Sequence, residues 1–449
     1  MASATATNDE ANVTAVEVAG FKSANLPVRV NFRDITVLAG ANSAGKSTVM
    51  QPLLLMKQTI EKPFDPGGLA IDGPLVRFTH ADQFFSHQKQ KNSAPLFDVS
   101  IEQGNQKIAL RYGRSDAGSV AIMRMSFGNN NKKYIWTDNQ SLEPADNSLS
   151  ADAGYFSMPR KMLTDLSKDY RIQVSRDRVA LVANLVLRDD RIKPFFRGSP
   201  LIVAQPAGTS ANLIRKMIYL PGFRGNPERQ YVISAAGPDY PGRFDDYVAS
   251  IIHHWGTIKN DKLGSLEGNL KALGLTSRVA TRTVDDTRVE VHVGRLPAAA
   301  RGGAKDTVNI ADVGFGVSQI LPVLVALLAA DRGQMVFVEQ PELHLHPRAQ
   351  IALADIVLQA ADRGVRVVVE THSSLFILGL QAALAEGRLA PDRISMNWFT
   401  RDNTGQTQVV EAQLAEDGSY GDWPVDFDTV ELKLQDRYMT LVDRRRAQV

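Results

Sequence analysis

The chain contains no cysteine. That removes disulfides, thiolate zinc sites, iron–sulfur clusters and cysteine nucleophiles from its chemistry. Long apolar runs are missing too: the longest, Ile320 to Ala330, is interrupted by Pro322 and is about half the ~20 residues that cross a bilayer. Neither sign of charge dominates, with 51 Lys and Arg against 49 Asp and Glu and a formal net charge of +2. Any surface for a polyanion must therefore come from local clustering. No fixed-period repeat suggests a solenoid or propeller, and no sustained heptads suggest a coiled-coil rod. Met1 to Asn12 is small and polar, without the basic start and apolar stretch of a secretory signal. It reads as a disordered leader, and a cytoplasmic setting without membrane contact is the expectation.

What is present suits a globular protein with a large core: 449 residues, 44% hydrophobic and 22% charged. Val13 to Gly20 and Ile35 to Ala39 read as strands, and Lys46 to Ile60 as a helix with Val49, Leu53, Met56 and Ile60 on one face and Pro52 inside it. Strand-like runs follow at 96–101, 107–112, 120–127 and 134–136. The polar stretch 137–157 reads as a loop, and helical patterns are expected over 158–193 and 243–273. After two β-like runs at 278–284 and 288–293 and the loop 297–305, the chain alternates helix 316–330, strand 335–339, helix 347–362, strand 365–369 and helix 373–386. That alternation predicts an α/β fold with a helix-covered parallel sheet. The expected organisation is a leader (1–12), a β-rich N-terminal half of a nucleotide-binding unit (13–140), a mostly helical insertion (141–215), a helix and strand lobe (216–310) and the C-terminal half of the unit (311–449).

Gly40-Ala41-Asn42-Ser43-Ala44-Gly45-Lys46-Ser47, followed by Thr48, fits G-x-x-x-x-G-K-[ST] at every fixed position. It also follows a strand and opens a helix. Glycines let the backbone wrap a phosphate, and amides at the helix start favour negative charge. Lys46 would reach the β- and γ-phosphates, and the Ser47 hydroxyl would ligate Mg²⁺. This points to a nucleoside triphosphate, with ATP and Mg²⁺ as the expected ligands.

Met335 to Val338 then leads into Glu339-Gln340-Pro341-Glu342. A carboxylate at the end of an apolar strand is what a P-loop ATPase uses to hold Mg²⁺, and Glu339 fills that position where Asp is usual. Gln340 stands where a water-activating Glu is usual; an amide can orient water but cannot take its proton. Glu342 is the nearest spare carboxylate. His344 and His346 lack HExxH spacing and an obvious third ligand, so packing is favoured over metal binding. Gly314, Gly316, Ser318 and Gln319 open another helix and could form a second anion site, or a simple cap. His372, just past the strand 365–369, can reach a γ-phosphate, or be structural.

In this order, the motifs resemble an ABC-type ATPase of the RecF, SMC and overcoming-lysogenization-defect branch. The phrases VEQPELHLHPRAQ, DVGFGVSQILPVL and ETHSS look like stand-alone ATPases of anti-phage defence operons, of the Septu, retron-associated and PARIS groups. Tyr219 to Arg229 resembles the arginine-bearing strand and loop of that branch. The resemblance implies an ABC-type head with a mixed sheet, Walker A at 40–48, Glu339 as the Walker B acid and His372 as the switch histidine. It further implies a signature at 314–319 that closes on a partner subunit's ATP, and a Mg²⁺-contacting glutamine, for which Gln83 is the best candidate. The ATPase would form a dimer around ATP, and a nuclease or toxin effector would be a separate chain, since the residues beyond His372 are too few for a Toprim nuclease. Gly-Phe-Gly-Val-Ser-Gln departs from the usual Leu-Ser-Gly-Gly-Gln. The alternatives are a RecF-like clamp on DNA and an ATP-locked scaffold. Two arginine-rich sets could track DNA or RNA, or form solvated faces: Arg171, Arg176, Arg178, Arg188, Arg191, Lys193 and Arg197, and Arg278, Arg282, Arg288, Arg295, Arg301 and Lys305.

Overall fold

The computed structural model describes residues 12–86, 95–116, 118–129, 131–149, 158–188, 201–234, 237, 239–295, 306–421 and 436–441. The N-terminal part runs β1 (Ala15–Ala19), β2 (Val28–Asn31), β3 (Ile35–Gly40), α1 (Lys46–Ile60), β4 (Leu96–Gln103), β5 (Gln106–Arg114), β6 (Val120–Asn129) and β7 (Lys133–Thr137). Next come β8 (Ser141–Leu142), α2 (Arg160–Leu166), β9 (Tyr170–Asp177), β10 (Ala180–Leu187), β11 (Leu201–Ala204) and α3 (Gly208–Lys216). The remainder is β12 (Ile218–Leu220), β13 (Tyr231–Val232), α4 (Val248–Thr257), α5 (Asp261–Ala272), β14 (Val279–Asp285), β15 (Arg288–Gly294), β16 (Thr307–Asn309), α6 (Phe315–Ala329), β17 (Met335–Glu339), α7 (Pro347–Asp362), β18 (Arg366–Thr371), α8 (Ser374–Ala385), β19 (Ile394–Arg401) and β20 (Thr407–Glu411).

One sheet, ordered β12-β17-β18-β3-β19-β20, organises the molecule. Its first five strands are parallel and β20 closes the edge antiparallel. Every residue of β3 is buried, as a strand covered on both faces requires. Side chains alternate between two cores. Ile35, Val37 and Ala39 join Val336, Val338, Val367 and Val369 under the helices α4 to α8. Leu38, Phe337, Val368 and Phe399 face α1 and the N-terminal strands. Because β3, β17 and β18 are parallel and in register, their C-terminal ends come together, with Glu339 opposite Glu370 and Glu370 opposite Leu38. This is the edge where open α/β sheets bind ligands.

The expected mixed α/β fold is therefore found, together with the β-rich N-terminal lobe: an antiparallel sheet ordered β2-β1-β4-β5-β6-β7. The helical insertion is corrected. Over 158–188 only α2 is helical, and β9 and β10 form a hairpin inside a four-stranded sheet ordered β11-β10-β9-β8. The turn is the pair Arg178-Val179, with Arg178 in the left-handed region at φ 55°. Its guanidinium donates to the carbonyl of Ile60 at the end of α1, so a tertiary contact holds a conformation usually assigned to Gly or Asn. Lys57, fully buried, fixes the insertion to the same helix. It donates to the Arg215 carbonyl at 2.5 Å and pairs with Glu61 at 2.6 Å. The leader up to residue 11, the loop 297–305, and Arg191, Lys193, Arg197, Arg301 and Lys305 lie outside the described residues.

Candidate nucleotide site

The phosphate loop is built from the end of β3. Gly40 has φ 142° and a Cβ there would lie 2.3 Å from the Phe399 carbonyl oxygen; Gly45 has φ 99° and a Cβ there would lie 2.2 Å from Thr407 Oγ1. Both positions thus exclude side chains for steric reasons as well as conformational ones. Ser43 also lies in the left-handed region, at φ 60°. Thr407 Oγ1 lies 3.0 Å from the Ala44 carbonyl oxygen and 2.8 Å from Ser23 Oγ, so β20 buttresses the loop from outside. Lys46 Nζ donates to the carbonyls of Gly40 and Ala41 at 3.1 and 2.9 Å. Burial lowers its pKa, and Glu370 and Glu342 oppose that shift. The loop fits a phosphate: closely approached backbone, a lysine at its mouth and helix α1 directly behind.

Facing this loop are three carboxylates, Glu342 and Glu370 buried and Glu339 half-buried. Glu339 ends β17, with Tyr219 OH donating to its Oε1 at 3.0 Å and the Gly222 amide to its Oε2 at 3.2 Å. Glu370, on β18, accepts from Ser47 Oγ at 2.8 Å. Burial, reinforced by the neighbouring Glu339 charge, pushes its pKa up to about 7. Glu342 accepts from Thr371 Oγ1 and the His372 amide, both at 2.8 Å, through Oε1, while Oε2 is buried with no hydrogen-bond partner among the described residues. Burial raises the pKa of Glu339 and Glu342 as well. Gln340, between them in sequence, sits at φ 44°, and its amide donates to the Glu370 carbonyl at 2.6 Å. Burial and the Lys46 charge lower the His372 pKa, which favours a neutral ring at pH 7.

Lys46, Ser47, Glu339, Gln340, Glu342 and His372 thus occupy one end of the sheet. Gln83 does not join them. It is exposed, and its amide bonds its own turn, accepting from the Thr79 amide at 2.9 Å and donating to Thr79 Oγ1 at 3.0 Å. Gln319 points inward: its amide donates to the Gly225 carbonyl at 2.7 Å. Gly314 has open space around it, and Phe315 is 52% exposed, so the outer part of this helix start faces away from the protein. His344 lies against Phe315, ring centroids 5.9 Å apart, and His346 caps α7 by accepting from the Arg348 amide at 3.3 Å. Among the described residues no group of three or more His, Asp or Glu forms a metal cage. A divalent ion here would complete its shell with hydroxyl, phosphate and water oxygens, as Mg²⁺ does.

Three participants escaped the sequence reading. Glu370 is one. Lys22 is the second: its ammonium lies 4.7 Å from the Phe78 ring centroid and feels the charge of Glu339. Arg224 is the third, within the loop whose resemblance was noted but given no role. Its guanidinium donates to the Glu339 carbonyl at 2.7 Å and the Gln319 carbonyl at 3.1 Å, tying the end of β17 to the first turn of α6.

Residues 288–378 match a family model described as "AAA domain, putative AbiEii toxin, Type IV TA system". No curated protein matches the chain in sequence. Similar solved structures include an SMC head bound to the C-winged helix domain of ScpA, at 13% identity over 90% of this chain and 98% of that one, TM-score 0.44. An SMC head domain from Thermotoga maritima gives 10% identity, 89% and 98% coverage and a TM-score of 0.34. A Pyrococcus furiosus Smc head with an extended coiled coil, bound to the C-terminal domain of ScpA, gives 12%, 97% and 99%, and 0.41. No helix among the described residues is long and apolar enough to cross a membrane. The phosphate loop, the sheet edge and the matched segment together make this chain the carrier of an ATPase-type P-loop domain.

Proposed function

We propose that the chain binds ATP with Mg²⁺, hydrolyses it slowly, joins a second copy of itself around the nucleotide, and regulates a separate effector protein in a bacterial anti-phage defence complex. The observation that carries the ATPase reading is the convergence of Lys46 and Ser47 with the carboxylates of Glu339, Glu342 and Glu370. Lys46 is drawn off the Gly40 and Ala41 carbonyls onto phosphate oxygens. Mg²⁺, held beside Ser47 at this end of the sheet, would supply charge neutralisation of the phosphates. Neutral, half-buried His372 accepts or donates one hydrogen bond near the γ-phosphate. Slow turnover follows from Gln340: an amide orients water, and the absence of a proton acceptor there costs roughly 10²–10⁴ in rate.

The outward-facing start of α6, with Gly314 open and Phe315 exposed, supports a role in gripping a second subunit's nucleotide. Arg224 would carry that contact to β17. The defence role rests on the resemblance in VEQPELHLHPRAQ and ETHSS and on the toxin–antitoxin description of the matched family. Direct DNA or RNA binding has weaker support, because several of the arginines are tied to backbone carbonyls of this chain. Arg176 donates to the Gly67 carbonyl, Arg178 to Ile60 and Arg188 to Ser167 and Tyr170. The test is calorimetric ATP titration with Lys46→Ala beside the wild type. The variant is expected to lose at least ~100-fold in affinity, as removal of a buried charged partner costs about 3 kcal/mol; equal affinities would remove the ATPase reading.

A further inference from the structure

Two carboxylates end neighbouring parallel strands at the loop, and they are held differently. Both oxygens of Glu339 are engaged, one by Tyr219 OH and one by the Gly222 amide. Glu370 has a single hydrogen bond among the described residues, from Ser47 Oγ at 2.8 Å, and its Oε1 is free of hydrogen bonds. Of the two, Glu370 also has the stronger electrostatic grip on Lys46; Glu339 acts instead on Lys22. Glu342 gives an independent sign that positive charge is missing here. The residue is 7% exposed, its Oε2 has no hydrogen-bond partner among the described residues, and its charge is felt by both Lys46 and Glu370. A buried carboxylate oxygen without a donor is costly unless a cation arrives.

We propose that Glu370 and Ser47 together hold the divalent cation of the ATP complex, and that Glu339 stands one step behind, fixed by Tyr219 and Gly222. This deepens the ATPase reading and rests on it. The hydroxyl that ligates the cation in a P-loop is already in contact with Glu370, so one ion can touch both oxygens after a small movement of the Ser47 rotamer. Mg²⁺ takes one or two carboxylates and fills its other positions with phosphate and water. Each Glu339 oxygen already accepts one hydrogen bond, which fixes its direction and uses one of its lone pairs, whereas among the described residues Glu370 Oε1 has both lone pairs open to an ion. The part of Glu339 is to orient: it fixes β17 beside Glu370 and adds negative potential behind the ion.

The test uses the full-length chain and Mn²⁺ as the probe. Free Mn²⁺ is followed by electron paramagnetic resonance in the presence of ATP, and ATP affinity is measured separately in Mn²⁺ and in EDTA. Glu370→Gln is expected to lose at least ~10-fold in Mn²⁺ affinity, and the gain in ATP affinity that Mn²⁺ gives over EDTA should shrink by the same factor. Glu339→Gln is expected to lose under about 3-fold. Ser47→Ala, which alters no charge, should match Glu370→Gln, and the double variant should be little worse than either single; this comparison also decides the matter if Glu370→Gln folds poorly. Wild-type Mn²⁺ affinity in Glu370→Gln, or a larger loss in Glu339→Gln, overturns the assignment while leaving the ATPase reading intact. Failure of the wild type to bind ATP under either condition removes both.

Discussion

Gln340 is held by its backbone rather than by its side chain: positive φ, an amide bonded to the Glu370 carbonyl, and Gly222 close by. Its side chain can therefore be exchanged without moving the loop. Gln340→Glu is expected to raise steady-state ATP turnover by at least ~10-fold, since it restores a proton acceptor; phosphate release at saturating ATP checks this. Away from the site, Arg29 clasps Glu102 through two bonds of 2.6 Å, with Lys107 at 3.2 Å. The Arg29 bonds hold the Glu102 carboxyl at about 2, below its ordinary 4.5. A depressed carboxylate stabilises the fold above its unfolded value, and the gain is lost as pH falls through the folded one. Glu102→Gln should thus cost about 1 kcal/mol at pH 7. The gap to wild type should close between pH 4.5 and about 2, as read from denaturant midpoints. Lys46, Ser47 and Glu339 were legible because their spacing follows from phosphate chemistry. Glu370 and Lys22 were not: nothing in their local sequence marks them, and only the side-by-side pairing of β17 with β18, and the turn at Lys22, bring them in.

Elements with strong periodicity were read closely. α1 and α7 have the expected bounds, and five strands of the N-terminal sheet, β1 and β4 to β7, fall within a few residues of theirs, while β2 was not expected. The hairpin of β9 and β10 was misread as helix for two reasons. β10 is buried on both faces from Ala180 to Leu185, with Asn184 its one polar residue there, so it shows no alternation. Its turn carries Arg178 where a Gly or Asn would have announced it. The support of that turn comes from α1, far away in sequence. β20 plays a similar distant part for the phosphate loop, through the Thr407 hydroxyl. Thr407→Val keeps the shape and removes the hydroxyl. Stability should fall by about 1 kcal/mol, and ATP should bind several-fold more weakly. Thermal melts with and without ATP separate the two effects, and an unchanged ATP-induced shift would count against the buttress.

At the level of the whole molecule, the composition permitted one large unit, and the strand order shows how it is joined: β3 pairs with β18 and β19, from the opposite half of the chain. Pairings over such separations leave no trace in a single sequence, because a strand's pattern reports its burial and not its neighbour. ATP with Mg²⁺ is expected to double the mass in light scattering of the wild type and to leave Lys46→Ala unchanged. A wild type of constant mass would refute assembly around the nucleotide. The contact between Thr407 and Ala44 has a consequence for how the protein is made. Those residues are 363 positions apart. At synthesis rates of about 5–20 residues per second, roughly 20 to 70 s pass between their translation. For most of that interval the nascent phosphate loop exists without Glu339 and β18, and for all of it without its outer support. The site described above is therefore assembled only after translation has passed β20, the final strand of the sheet.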